Sequence, residues 1–314
     1  MDGKNDGPDG TTLSWFAVVV LIAGMNFVAV RFSNRELAPF FGAAIRFVGG
    51  AVLLFTYVGL RRVPLPRGPS LTGTLLYGLL GFGGSYAFLY WALQDLSAGV
   101  AAVTMASVPL LTLFFATIHR VEEFRARALV GALAAIAGIA VLAAGAGDAE
   151  FPIASLLAMI AGAACVAESG VVLKRFPPSH PVATNAVAMG VGGILLTILS
   201  AAAQEDWIVP RSPATLTSLG YLIFVGSLAL FGLYLFILKR WTASGVSYML
   251  VLAPIVASVA GALLADEPIT SRVVIGGAIV LAGVYVGALS GPRGKDTPSA
   301  APEGCVPAEE EAVA

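Results

Sequence analysis

The chain has 314 residues, of which 58% are hydrophobic and only 12% charged, with a formal net charge of −1 and a mean hydropathy of +0.87. Soluble domains carry roughly 25% charged residues, so a chain this poor in charge cannot cover a water-facing surface. No basic patch points to nucleic acid. The two cysteines, Cys165 in an apolar stretch and Cys305 near the end, argue against a disulfide framework or a thiolate metal site, and no metal or cofactor is expected.

Residues 1–12, MDGKNDGPDGTT, are polar and hold one lysine against three aspartates. That is a poor start for a cleaved signal peptide, so the first apolar run is read as a retained helix. Breaking the chain at charges, Pro and Gly predicts ten spans, at 13–30, 37–59, 71–93, 97–118, 126–146, 152–173, 181–203, 214–238, 242–264 and 272–290. Runs of about 20 apolar residues are long enough to cross a bilayer. The fold class is therefore an all-α integral membrane protein with ten transmembrane helices. The tail at 291–314, rich in Pro, Ala and Glu, reads as a disordered acidic segment. With the N-terminus inside, the inner segments hold 13 Lys and Arg and the outer loops 4. The positive-inside rule then places both termini in the cytoplasm of a multi-pass protein of the cytoplasmic (inner) membrane.

The chain also repeats itself. SAGV at 97–100 matches ASGV at 243–246, and a shift of 145 residues lays Pro109 on Pro254, Glu122 on Glu267, Gly131 on Gly276 and Gly138 on Gly283. A shift of 143 lays Arg31 on Lys174 and VGG at 48–50 on VGG at 191–193. These matches divide the chain into an N-terminal segment (1–12), a first five-helix repeat (13–147), a second (148–290) and the tail. Five is odd, so the second repeat is inserted upside down. Inverted repeats of this kind point to alternating access around a midplane site.

LAPFFGAAIRFVGGAVLL, LSAGVAAVTMASVPLLTLFFATI followed by Glu122, and SGVSYMLVLAPIVASVAGALLADEPIT followed by IGGAIVLAGVYVG resemble the drug/metabolite transporter superfamily, in its ten-helix EamA branch. The acidic turn reads VEE in the first half and DEP in the second, without the glycine usual before the acid in that family. The resemblance implies a bundle with a central cavity, the fifth and tenth helices at its periphery, and transport of small metabolites, amino acids, amines or drugs, more often outward.

Polar residues inside the spans are the candidate site. Arg46 lies about 14 residues, some 20 Å, from the inner end of the second span, too deep to reach water. Two roles are open to it: a cation that pairs with a substrate carboxylate or phosphate, or a tether between helices. Glu168 in the sixth span is a candidate coupling acid, or a carboxylate satisfied by Lys174 or Arg175. Phe82, Tyr86 and Tyr90 share one face of the third span, with Tyr234 as the matching aromatic in the eighth. Asn26, Ser247 and Tyr248 complete the substrate-binding candidates. Pro109 and Pro254 are candidate gating kinks, because a helical proline frees a carbonyl one turn back. Ala134–Gly138 and Gly283–Gly287 are small-xxx-small faces, packing surfaces that would also serve a homodimer. Partners are thus a small-molecule substrate and the lipid bilayer.

A membrane enzyme is not expected, since there is no HExxH, no Gly-flanked serine nucleophile with a base, and His119 and His180 stand isolated in loops. The alternatives within view are a non-transporting assembly protein and an exchanger of phosphorylated metabolites, the second weakened by the single intramembrane arginine.

Overall fold

A computed structural model describes residues 10–120, 126–143, 152–230, 232–233, 237 and 249–286. Among them every regular element is helical, as lipid demands of a backbone that has no water to bond. The helices α1 (Gly10–Ser33) and α2 (Pro39–Leu60) are continuous. Helix α3 comprises Pro69–Tyr77, a π-helical stretch Gly78–Gly84 and Ser85–Ala92. Helix α4 comprises Ala98–Met105 and Val108–Ile118. Then follow α5 (Ala126–Ala143), α6 (Ile153–Lys174) and α7 (Pro181–Ala202). Helix α8 comprises Pro213–Gly220 and a π-helical stretch Tyr221–Ala229, before α9 (Met249–Ala265) and α10 (Ser271–Val284).

The predicted spans fall on these helices, but two proline positions behave differently. Helix α4 breaks at Ala106–Ser107, just ahead of Pro109. Ser107 Oγ donates to Thr104 O at 2.7 Å, and the Ser107 carbonyl accepts from Leu110 N at 3.0 Å, so the break leaves its polar groups satisfied. Helix α9 instead runs through Pro254 without interruption. The expected pair of equivalent kinks is one break and one continuous helix.

Packing follows the repeat. Helix α1 lies on α9 as α6 lies on α4; α3 lies on α7 as α8 lies on α2; and α2 with α7, and α5 with α10, pack on each other. Adding five to each helix number maps this set of contacts onto itself, which is the twofold relation of two inverted halves. Small residues allow the close approach. A Cβ on Gly138 would meet Gly276 O at 2.7 Å, and one on Gly283 would meet Gly131 O at 2.6 Å. The two glycine faces thus spend themselves on each other inside one chain, so a homodimer would need other surface. Gly287 lies outside the described residues. The outward faces carry exposed Leu133, Ile136, Ile194 and Leu263, the apolar coat that lipid contact favours.

At the end of the bundle where the even-numbered helices begin, carboxylates in the connecting segments meet helix starts. Glu205 accepts from Phe40 N and Phe41 N at 3.1 and 2.8 Å, and Trp207 stacks on Phe41 at 5.7 Å between ring centroids. Glu36 accepts from Arg211 N and Ser212 N at 2.8 and 3.0 Å. Asp95 accepts from Ser155 Oγ at 2.5 Å. Glu267 accepts from Ala98 N at 2.9 Å and pairs with Arg31 Nε at 2.7 Å, while Arg31 also donates to Leu96 O. Such positions suit carboxylates because the helix start carries free N–H groups and partial positive charge.

The backbone N–H groups of Arg211 and Ser212 hold the Glu36 carboxyl below its ordinary value of 4.5. A native value depressed in this way contributes stability above the unfolded pKa and loses it as pH falls through the native one. Thermal unfolding of the solubilised protein should therefore place Glu36→Gln below wild type at neutral pH, with the difference closing in acid below pH 4.5. A gap that stays constant into acid would show that the carboxylate's charge is not what matters.

Candidate functional site

Arg46 sits mid-way along α2 and is only 2% exposed. Its Nε donates to Ser227 Oγ at 3.1 Å and its Nη2 to the Gly226 carbonyl at 3.1 Å. Both acceptors belong to the π-helical stretch of α8. A π turn bonds i to i+5 and so shifts the local backbone ladder out of the α register, and the Gly226 carbonyl in it accepts from side chains of other helices. Ser227 Oγ donates to Leu222 O, five residues back, at 2.9 Å, so its lone pairs are free for the guanidinium. Asn26 Nδ2 donates to the same Gly226 carbonyl at 3.3 Å. The Asn26 Oδ1 is buried without a partner among the described residues.

Aromatic rings flank the cation. The guanidinium carbon lies 5.1 Å from the ring centroids of both Phe47 and Tyr86, within cation–π range. Phe47 meets Tyr86 edge-on at 4.5 Å, and Phe82 stacks on Tyr86 at 6.4 Å. The Tyr221 hydroxyl, at the head of the α8 π stretch, donates to Ile22 O at 3.0 Å and ties that stretch to α1. Among the described residues no acidic side chain pairs with Arg46. Beside it opens a cavity of about 150 Å³ whose walls include Asn26, Phe27, Arg46, Ser85, Tyr86, Leu89 and Met105.

The structure brings together Arg46, Asn26, Tyr86 and Tyr90 of the expected residues. Tyr90 is fully buried and off the cavity wall, with its hydroxyl beside the Arg46 guanidinium. Tyr234, Ser247 and Tyr248 lie outside the described residues. Glu168 faces neither Arg46 nor the cavity. Its Oε1 lies 2.7 Å from His119 Nε2 at the end of α4, and His119 Nδ1 lies 3.0 Å from Arg175 Nη1. A guanidinium can only donate, so Nδ1 is the acceptor and the Nε2 hydrogen goes to Glu168. His119, isolated in the sequence, is therefore the middle of a three-residue chain joining α4 to α6. A larger cavity of about 490 Å³ lies near that end of the bundle, between Ser70, Thr74 and Tyr77 of α3 and the α6–α7 connection.

Gly226, Ser227, Ser85 and Tyr221 were not anticipated. The π stretches Gly78–Gly84 and Tyr221–Ala229 begin 143 residues apart, the shift at which the earlier helices of the two halves align. The legible signal was the recurrence of Gly-Ser at 84–85 and 226–227, a shift of 142, in the third helix of each half.

Two inverted five-helix halves around a charged central cavity are the architecture of a membrane transporter. The profile of the EamA-like transporter family matches twice, over residues 10–144 and again over 153–288, and the chain belongs to that family. An uncharacterised transporter of Archaeoglobus fulgidus is 27% identical over 282 residues, covering 86% of this chain and 96% of its own. A probable amino-acid metabolite efflux pump of Escherichia coli K12 is 25% identical over 281 residues, covering 86% and 92%. A crystal structure of a protein 20% identical superposes with a TM-score of 0.62 over 89% of this chain and 96% of the other, which shows the shared fold.

The tightest element of the site is glycine. A methyl group on Gly226 would fall onto Asn26 Oδ1, whereas one on Gly220, earlier in the same helix, meets nothing within 4 Å. Gly226→Ala should cost about 1–3 kcal/mol by overpacking and Gly220→Ala should be neutral or better, as measured by thermal or denaturant unfolding of the purified protein. Equal effects of the two would mean that the Asn26–Gly226–Arg46 contact does not constrain the helix.

Proposed function

We propose that the protein exports a small organic metabolite bearing a carboxylate, such as an amino-acid-like solute, across the inner membrane by alternating access, with both termini in the cytoplasm. The observation that carries this reading is the cation of Arg46, buried beside a cavity with no acidic partner among the described residues. An intramembrane arginine left without a carboxylate favours an anionic group brought by the solute. The size of the cavity narrows the class. About 150 Å³ accommodates something the size of benzene, whereas drug-sized ligands occupy roughly 300–1,000 Å³. Aromatic and apolar walls suit the solute's uncharged part.

Orientation follows from the 13 inner against 4 outer Lys and Arg. Export accords with the printed role of the E. coli relative, a probable efflux pump. In this reading the halves at 13–147 and 148–290 are the two bodies that rock about the site. Glu168, bonded through His119, is then the candidate proton acceptor rather than a ligand of the solute.

The test compares medium and cytosol of cells overproducing the wild type with cells making Arg46→Ala at equal membrane abundance, quantifying small solutes by mass spectrometry. A carboxylate-bearing solute should rise outside and fall inside with the wild type only. Losing a charge-assisted contact of about 1.5–3 kcal/mol should reduce that flux roughly ten- to a hundredfold. Equal export by both proteins would reduce Arg46 to a tether, and no change in any solute would remove the export reading.

A further inference from the structure

The four carboxylate contacts at one end of the bundle share a property that helix capping alone does not require: each crosses from one repeat to the other. Glu36 and Asp95 belong to the first repeat and meet the starts of α8 and α6 in the second. Glu205 and Glu267 belong to the second and meet the starts of α2 and α4 in the first. The Trp207–Phe41 stack crosses in the same way, and so does the Arg31–Glu267 ion pair.

The opposite end is built differently. Helix α3 follows the cap residue Gly68 and α7 follows His180, and among the described residues no carboxylate of the other repeat bonds to either start. The 143-residue shift that relates the halves lays Glu36 on Ser179 and Glu205 on Arg62. Ser179 bonds only to Thr184, five residues on, at 2.6 Å and does not reach the start of α3. An arginine cannot cap a helix start, since it carries the wrong charge and no acceptor. Between the start of α3 and the α6–α7 connection lies the cavity of about 490 Å³, where the inverted counterpart holds the Glu36 contacts. Among the described residues one cross-repeat contact stands at that end, His119 to Glu168, against four carboxylate contacts at the other, where the cavity walled by Asp95 and Glu267 is smaller, about 290 Å³; Glu122, the counterpart of Glu267, lies outside the described residues.

We propose that Glu36, Asp95, Glu205 and Glu267 are the outer gate of the transporter, a set of cross-repeat contacts at helix starts, three to backbone N–H groups and one to the Ser155 hydroxyl, that release when the outside opens. This rests on the orientation argued under Proposed function. Opening outward then requires these carboxylates to leave the helix starts of the other repeat, as the cavity at the α3–α7 end closes. Glu267 is the most enclosed member. Burial pushes its carboxyl up against the opposing pull of Arg31, and a methyl on Gly261 would fall onto its Oε2.

The test uses the full chain with both cysteines replaced, Cys165→Ala and Cys305→Ala, and a reporter, Ala23→Cys, on the wall of the central cavity. A membrane-impermeant maleimide is applied to right-side-out and to inverted membrane vesicles. Glu36→Gln, Glu205→Gln and Glu267→Gln should each raise labelling from outside about fivefold and lower labelling from inside. That ratio corresponds to about 1 kcal/mol per cap. Gly261→Ala, which displaces Glu267 without removing its charge, should act in the same direction, and Glu267→Asp should restore part of the wild-type pattern. Where one variant fails to reach the membrane, the others carry the same comparison. Unchanged labelling from both sides overturns the gate and leaves the transport reading intact. Increased labelling from both sides also overturns it, since that reports loosening rather than exchange of access. An increase from inside alone overturns the orientation and, with it, the assignment of these acids to the outer side.

Discussion

A guanidinium held mid-way through a lipid-embedded helix has to find acceptors within the protein, and the architecture of the centre follows from where it finds them. Arg46 in α2 reaches Gly226 and Ser227 in α8, so its bonds join the first repeat to the second. The acceptors lie where α8 is wound as a π-helix, with the Ser227 hydroxyl bonded five residues back. Asn26 of α1 uses the same carbonyl, which draws a third helix to the point. The cavity lies beside this junction, walled mainly by the first repeat.

The two halves are alike in plan and unlike in detail, and the differences are where function is to be sought. The first proline break in α4 has no equal in α9. The first π stretch is glycine-rich and packs tightly on α7, where a Cβ on Gly78 would meet Ala188 O at 2.7 Å. The second carries the serine and the carbonyl that hold Arg46. At the ends, carboxylates meet helix starts of the other repeat on one side, while on the other His119 meets Glu168.

Much of this was legible in the chain. Apolar run length gave the spans, because a bilayer fixes how many residues a helix needs to cross it. Arg46, Asn26 and Tyr86 stood out because polar and aromatic side chains in such spans face the interior of a bundle. Gly226 and Ser227 did not, since small residues are common in membrane helices and a π turn leaves no mark in composition. His119 looked isolated because its partners Glu168 and Arg175 are 49 and 56 residues away. Tyr90 shared a helical face with Tyr86 yet points into packed protein, a distinction that depends on which neighbour covers each turn.

By itself, then, the sequence determined the solvent the chain lives in, the number of crossings, the internal repeat and the one deeply buried cation. These depend on hydropathy, spacing and charge, which are properties of short stretches. Only the tertiary structure decided what the cation bonds to, which carboxylate meets which helix start, and which acid the isolated histidine meets. Those are contacts between residues roughly 50 to 180 positions apart, and no local pattern encodes a partner that only the packing of two inverted repeats brings within reach.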